Sequence, residues 1–271
     1  MPELPEVETI KRDLRHLILN RQVLDLSTDS PRQIRPSSER VKKVLLGAKI
    51  KDVKRRGKLL QIFFSNGAIL LVHLKLTGRL LVRNKKDKED KWQHVVLSLS
   101  GDKELRFADL RKFGWWKLLK DEKELEKILS DLGPEPLDDL DFAEFKKILS
   151  SSRRAVKVVL MDQKVLSGVG NIYANEALFL TGIDPRRPAN EVSLEEAEKL
   201  YHSLEKVLRA GIKYRGASDQ YYLDALGKKG AYQEHFLVYG RTNKKCFHCP
   251  DKIKRIVVGG RGTFYCPTCQ K

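Results

Sequence analysis

Four cysteines constrain this chain more than any other feature. They read Cys246-x2-Cys249-x16-Cys266-x2-Cys269, and the 271 residues contain no others. Two C-x2-C pairs at this separation hold a four-thiolate zinc site across a short hairpin. Four sulfurs complete the tetrahedron, so the one Zn2+ is structural and binds no catalytic water. Val257-Val258 and Thr263-Phe264-Tyr265 supply the hairpin strands, with Arg261 at the Gly-rich tip. All four cysteines fall in the last 26 residues, which argues for a reducing cytoplasm rather than a disulfide framework. The stretch from Arg241 to Lys271 carries eight Lys and Arg against one Asp, a formal +7. An arginine on so basic a hairpin is better read as a phosphate contact than as a solvated turn residue.

The whole chain repeats that bias. Lys and Arg number 53 against 36 Asp and Glu, a net charge of +17. The pI is near 9.7. A protein this basic meets a polyanion, and nucleic acid is the commonest. Anionic membrane is the weaker option, because no basic amphipathic helix stands out and no apolar run approaches about 18 residues. The first residues also lack the charged-then-apolar layout of a secretion signal.

The opening, Met1-Pro2-Glu3-Leu4-Pro5-Glu6-Val7-Glu8-Thr9, carries the chemistry. Val7, Ile10, Leu14, Leu17 and Ile18 follow the spacing of one buried helical face. Pro5 suits the first turn, and the glutamates suit the positive end of the helix dipole. A well-started helix explains these residues without any reaction. A sharper reading begins with removal of the initiator methionine, which exposes Pro2 as a secondary amine of pKa about 7.7–8.0. Such an amine attacks an electrophilic carbon to give a permanently cationic Schiff base, an electron sink for elimination. Glu3 beside it is placed to give and take protons.

Downstream, Val23 to Trp116 reads as β structure, with short strands at turn-marked intervals and a hairpin signal at Asn66-Gly67. That spacing argues for a sandwich or barrel rather than a βαβ fold. Asn84 to Lys91 is a mixed charge run, most simply a solvated loop. Gly133-Pro134-Glu135-Pro136 reads as a linker. Helical patterns follow at Phe142–Leu149, Ala155–Met161, Ile172–Leu180 and Ser193–Ala210, the last opened by a Ser193/Glu196 capping box. Glycines in Ser167-Gly168-Val169-Gly170-Asn171 leave backbone N–H groups ahead of a helix for an anion, although a tight turn alone accounts for them.

The opening nonapeptide resembles that of the bacterial formamidopyrimidine-DNA glycosylases (8-oxoguanine DNA glycosylase/AP lyase). Gly168 to Glu176 is similar to the family's helix–two-turn–helix motif, in which Asn171 stands at the phosphate-contacting position. His73-Leu74-Lys75-Leu76-Thr77-Gly78 resembles a family segment that usually carries glycine and methionine where Lys75 and Leu76 stand. Asp109-Leu110-Arg111-Lys112-Phe113-Gly114 resembles the family's arginine–arginine–phenylalanine loop, with Lys112 for the second arginine and Leu110 where proline is common. An enzyme that extrudes a base must fill the vacated stack and satisfy the orphaned partner. The resemblance gives Leu76 and Phe113 the wedge role and Arg111 the hydrogen bond to cytosine. It makes Lys58, by default a surface charge, a phosphate-holding catalytic-pocket lysine. His94 falls in a DNA-contacting region where the family often carries a further histidine at the position of Trp92. Arg153 lies near a basic family position ahead of Ala155-Val156-Lys157. Arg215 to Phe236 aligns with the mobile loop that covers the flipped base, its glycines fitting a lid that orders on binding.

The resemblance therefore implies an α+β multidomain protein. Residues 2–132 form a catalytic β-sandwich with an N-terminal helix. Residues 133–236 form the helix–two-turn–helix domain, with its lesion-covering loop at 215–236. Residues 237–271 form a β-hairpin zinc finger. It implies a monomeric, cytoplasmic, nucleoid-associated enzyme without a membrane partner, excising oxidised purines from double-stranded DNA through Pro2, Glu3, Lys58 and Arg261. Two alternatives stand beside it. One is an endonuclease-VIII-like glycosylase for oxidised pyrimidines, against which Leu4 and the Arg111-Lys112-Phe113 loop argue. The other is a non-enzymatic zinc-containing DNA-binding protein, should Met1 be retained.

Overall fold

The computed structural model describes residues 1–219 and 221–271; Gln220, inside the 215–236 loop, lies outside the described residues. The chain divides into two compact units: residues 1–130 with 214–231, and residues 131–213 with 232–271.

The first unit opens with helix α1, Leu4–Ile18. Its Val7, Ile10, Leu14 and Ile18 are buried in one core with residues of both sheets. Each such side chain contributes about 1.5–3 kcal/mol through burial. Among the described residues nine strands follow: β1 (Val23–Thr28), β2 (Ile34–Arg35), β3 (Ile50–Arg56), β4 (Leu59–Phe64), β5 (Ile69–His73), β6 (Gly78–Asn84), β7 (Gln93–Leu99), β8 (Lys103–Asp109) and β9 (Trp115–Leu118). They form a four-stranded sheet β1-β7-β8-β6 and a five-stranded sheet β2-β9-β5-β4-β3. Strand β5 explains why the apolar run is continuous rather than alternating. Its Leu70 and Val72 enter the main core, while Ile69 and Leu71 pack on the other face with Leu119 and Leu125.

Two helices interrupt the stretch read as β and the tail behind it. Helix α2 (Ser38–Leu45) is capped by Ser37, which accepts from the Arg40 N–H, and it buries Val41 and Leu45. Helix α3 (Glu122–Ser130) buries Leu125 against Ile69, Leu71 and Leu119. The charge run at 84–91 is also more than a solvated loop. Its lysines are exposed, but the buried Arg106 guanidinium donates to the carbonyls of Lys88 (2.7 Å) and Asp87 (3.0 Å). A buried guanidinium satisfied in this way fixes the loop from beneath.

The second unit holds α4 (Phe142–Ser150), α5 (Val156–Met161), α6 (Asn171–Thr181) and α7 (Leu194–Lys213), followed by the hairpin strands β10 (Lys254–Val258) and β11 (Arg261–Tyr265). Gly133 to Pro136 is packed rather than a loose linker. Glu135 is fully buried, Gly133 N–H donates to Gln163 O, and Ser167 N–H donates to Pro134 O. A Cβ at Gly133 would lie 2.4 Å from the Val165 carbonyl carbon, so only glycine fits. Among the described residues no helix is long and apolar enough to cross a membrane.

Candidate active site

In the first unit, Pro2 and Glu3 lie buried at the head of α1. Glu3 is the N-cap, in a capping box with Glu6. The Glu3 N–H donates to Glu6 Oε2 at 2.8 Å, and Glu6 Oε1 accepts the Ala217 N–H at 2.9 Å. One carboxylate therefore holds both the chain start and the segment 214–231. Tyr222 of that segment packs over the same turn, its hydroxyl 3.4 Å from Glu6 O. Burial, reinforced by the nearby Glu6, pushes the Tyr222 phenol well above its ordinary range.

The segment is fastened elsewhere too. Arg215 donates to Asp13 (2.7 Å) and to the buried Asp224 (2.6 Å), and Val82 N–H donates to Ala225 O. Arg215, Ala217, Tyr222 and Ala225, within the stretch expected to form a lid, are thus held against α1 and β6.

Lys58 lies in the turn immediately ahead of β4 and is only 6% exposed, not a surface charge. That turn is shaped by Glu8, which binds Arg55 at 3.1 Å, while Arg55 donates to Gly57 O. Burial acts to raise the Glu8 pKa, but Lys11, Arg12 and Arg55 outweigh it, and the carboxylate lies below its usual range. His73 pairs with Leu59 across β5 and β4. Burial, with the positive charges of Lys75 and Lys58, pulls its pKa down to about 3. The neutral ring accepts the Lys75 N–H on Nδ1 at 2.9 Å and shapes the turn ahead of Leu76.

The two turns that carry the expected wedge residues both cross between the sheets, β5 to β6 and β8 to β9, and Gly78 pairs with Asp109. The structure brings Leu76 (37% exposed) and Phe113 (52%) onto these turns. The Arg111 guanidinium lies 4.6 Å over the Phe113 ring. Leu110, also exposed, adds a third apolar side chain. Lys75 and Lys112, two of the four departures from the family pattern on these turns, both have positive φ, 51° and 54°. Glycine would take the Lys75 backbone conformation without strain. His94 stands in β7, with its Nδ1 2.9 Å from Asp29 Oδ1.

Arg261, Asn171 and Arg153 belong to the second unit. Arg261 opens β11, the hairpin tip being Gly259-Gly260, and it is exposed, as is Arg153. Asn171 opens α6, and its Nδ2 donates to Gly262 O at 3.0 Å. The fully buried Lys157 donates to the same carbonyl at 3.2 Å and to Thr263 Oγ1 at 2.7 Å. Phe264 N–H donates to Asn175 Oδ1. The hairpin is thus clamped to α5 and α6 on either side of Gly262.

The four thiols lie within 4.8 Å of one another, with Cys246–Cys269 at 3.9 Å and Cys249–Cys266 at 3.5 Å. Zn–S bonds of about 2.3 Å in a tetrahedron set the sulfurs about 3.8 Å apart, so the cluster fits zinc. Burial and the neighbouring thiols push Cys266 and Cys269 up. The chain carries one structural zinc.

Sequence reasoning missed Glu6, Thr77, Asp109 and Lys157. Of these, only Asp109 had a local signal, as an acid at the end of a strand ahead of a glycine-closed loop.

Three family models match in order. They are the formamidopyrimidine-DNA glycosylase N-terminal domain over residues 1–116, its H2TH domain over 132–222, and a zinc finger found in FPG and IleRS over 243–271. The formamidopyrimidine-DNA glycosylase of Carboxydothermus hydrogenoformans is 41% identical over all of both chains. That of Shouchella clausii is 40% identical, covering all of this chain and 99% of its own. A Lactococcus lactis FPG mutant in complex with Fapy-dG-containing DNA superposes with a TM-score of 0.94 at 34% identity, covering all of both chains. MutM in complex with carbocyclic 8-oxo-G-containing DNA gives 0.93 at 35% over all of both chains. Matched from end to end, with the zinc ligands and the Pro2-Glu3 helix start in place, this chain belongs to the formamidopyrimidine-DNA glycosylase family.

Proposed function

We propose that the chain excises oxidised purines, 8-oxoguanine and formamidopyrimidines, from double-stranded DNA and then cleaves the abasic strand, as base excision repair in the bacterial cytoplasm requires. The observation that carries this reading is the buried Pro2-Glu3 pair at the capped head of α1, in a chain related over its full length to glycosylases of that name. The lesion-bearing duplexes in the L. lactis and MutM complexes support the substrate class.

The nucleotide flips out at a cost of a few kcal/mol of unstacking. The Pro2 nitrogen, freed by loss of Met1, attacks C1′ of the deoxyribose while Glu3 protonates the ring oxygen. That attack breaks the C1′–O4′ bond and opens the sugar ring. The Pro2 nitrogen then loses its proton, and its lone pair expels the base, which leaves with the C1′–N bonding pair and is protonated. The resulting iminium acidifies the C2′ proton. The 3′ phosphate and then the 5′ phosphate are eliminated. Lys58 and Arg261 hold those phosphates, and Leu76, Phe113 and Arg111 fill and read the vacated stack. Zinc takes no part in bond making; Cys246, Cys249, Cys266 and Cys269 hold it to stiffen the Arg261 hairpin. The division into residues 2–132, 133–236 and 237–271 belongs to the same reading.

Borohydride reduction of the Met-free protein on an 8-oxoguanine duplex should trap a covalent adduct, and Pro2→Gly should largely abolish it. Equal trapping by a form that retains Met1 removes Pro2 as the nucleophile. Preferential turnover of oxidised pyrimidines would instead favour the endonuclease-VIII-like reading.

A further inference from the structure

We propose that Asp109 is a positioning residue that locks the two wedge turns into one opposite-base reader; this rests on the assignment of Leu76, Arg111 and Phe113 as the wedge. Its carboxylate is 1% exposed, yet its hydrogen-bond partners are all neutral donors. Oδ1 accepts the Thr77 hydroxyl and the Arg111 N–H (3.2 Å). Oδ2 accepts the Gly114 N–H (2.7 Å) and Gln33 Nε2 (3.4 Å). Thr77 Oγ1 in turn accepts the Arg111 N–H at 3.1 Å, so the turn carrying Leu76 and the turn carrying Arg111 share one donor. A buried carboxylate persists only when its lone pairs are satisfied, and here satisfying them requires both turns in one arrangement.

Two further features point the same way. Lys75 and Lys112 hold positive φ on the two turns, a strain that endures where the surroundings over-determine the backbone. Gly114 leaves no room for change, because a Cβ there would meet Phe107 Cζ at 2.5 Å and Asp109 Oδ2 at 3.1 Å. Above this rigid base stand the exposed Leu76, Leu110 and Phe113. Asp109 therefore sets the height and direction of the Arg111 donor relative to the apolar wedges without itself facing the duplex. A donor that must meet one base edge within hydrogen-bond tolerance depends on such a base.

The test uses full-length, zinc-loaded protein and the variants Thr77→Val, Thr77→Ser, Asp109→Asn and Arg111→Ala. Thr77→Val keeps the shape and deletes the shared hydroxyl. Asp109→Asn turns amide hydrogens toward donors at one of its two positions. Amide exchange of the 110–114 peptide, without DNA, should quicken about tenfold in Thr77→Val and Asp109→Asn and stay unchanged in Thr77→Ser and Arg111→Ala. Competition binding to tetrahydrofuran-containing duplexes should show the preference for cytosine over adenine opposite the site falling about tenfold in Thr77→Val, Asp109→Asn and Arg111→Ala, with Thr77→Ser restoring it. Unchanged exchange in both Thr77→Val and Asp109→Asn overturns the lock. Quickened exchange with preference lost only in Arg111→Ala overturns its role in base reading. Quickened exchange with preference intact in every variant, Arg111→Ala included, overturns the wedge assignment and the reading role with it. Should Asp109→Asn fold poorly, with a lowered Tm or less than one zinc per chain, the Thr77 pair decides alone.

Discussion

Two helices of this protein begin in opposite ways. Helix α1 starts on Glu3, whose capping box with Glu6 fills the helix end with the chain's own carboxylates. Helix α6 starts on Gly170, which has no side chain to cap with, and follows it with an amide, Asn171. Both ends are positive. At α1 that charge is answered from within, so the acids are held where a reaction can use them. At α6 no acid stands in the first turn, an arrangement suited to a phosphate brought by a partner. In the proposed function the same backbone dipole serves chemistry in one unit and binding in the other, according to what the first residues supply.

The largest effect should come from breaking the α1 end without unfolding it. Glu3→Gln keeps an acceptor for the capping box but cannot exchange protons, so base excision should fall about a thousandfold. Binding to a tetrahydrofuran duplex should stay near wild type. A variant that binds and excises normally would show that Glu3 is only a cap. Next is the zinc module. Cys246→Ser should lose the metal and weaken DNA binding on the order of a hundredfold, because the hairpin and its phosphate contacts go together. Thermal unfolding followed by the sandwich tryptophans should still show a cooperative transition; its loss would mean that the first unit depends on the metal.

Asn171→Ala sharpens the contrast with Glu3→Gln. Duplex affinity should fall about tenfold, with the salt dependence unchanged because Asn171 carries no charge, while single-turnover excision at saturating enzyme is kept. Should the single-turnover rate fall with it, the two helix ends are not functionally separable.

The smallest effect concerns acid. His73 titrates near pH 3 in the fold, against an ordinary value of 6.5, because burial, with Lys75 and Lys58 nearby, opposes its charge. The unfolded chain therefore takes the proton first. The stability His73 allows is present above pH 6.5 and is lost as the pH falls toward 3, reaching about 2 kcal/mol by pH 5. His73→Asn keeps an acceptor for Lys75 and does not titrate, so its urea-unfolding free energy should decline less between pH 7 and pH 5. Parallel declines would place the ring in water.

Much of this was legible locally. The zinc ligands declare themselves because thiolate spacing is a property of a few consecutive residues and one hairpin. The buried stripe of α1 and the helices α4 to α7 follow from apolar periodicity. Helix α2 did not emerge, because eight residues with only Val41 and Leu45 buried make too short a pattern beside strands. Lys58 defaulted to the surface, since nothing in a basic strand reveals that the fold will close over one of its lysines.

The sequence by itself determined the chemistry on offer: a proline that becomes a secondary amine once Met1 is removed, a glutamate beside it, four thiols for one metal and a surplus of positive charge. Tertiary structure decided which of those groups are held and by what. Glu6 meets Ala217 across 211 residues, Asp109 gathers donors from Gln33, Thr77 and Gly114, and Lys157 reaches Thr263 across 106. Each is a buried polar group satisfied by a distant partner. Burial raises the cost of leaving such a group unpaired, and only the completed fold brings its partner within reach.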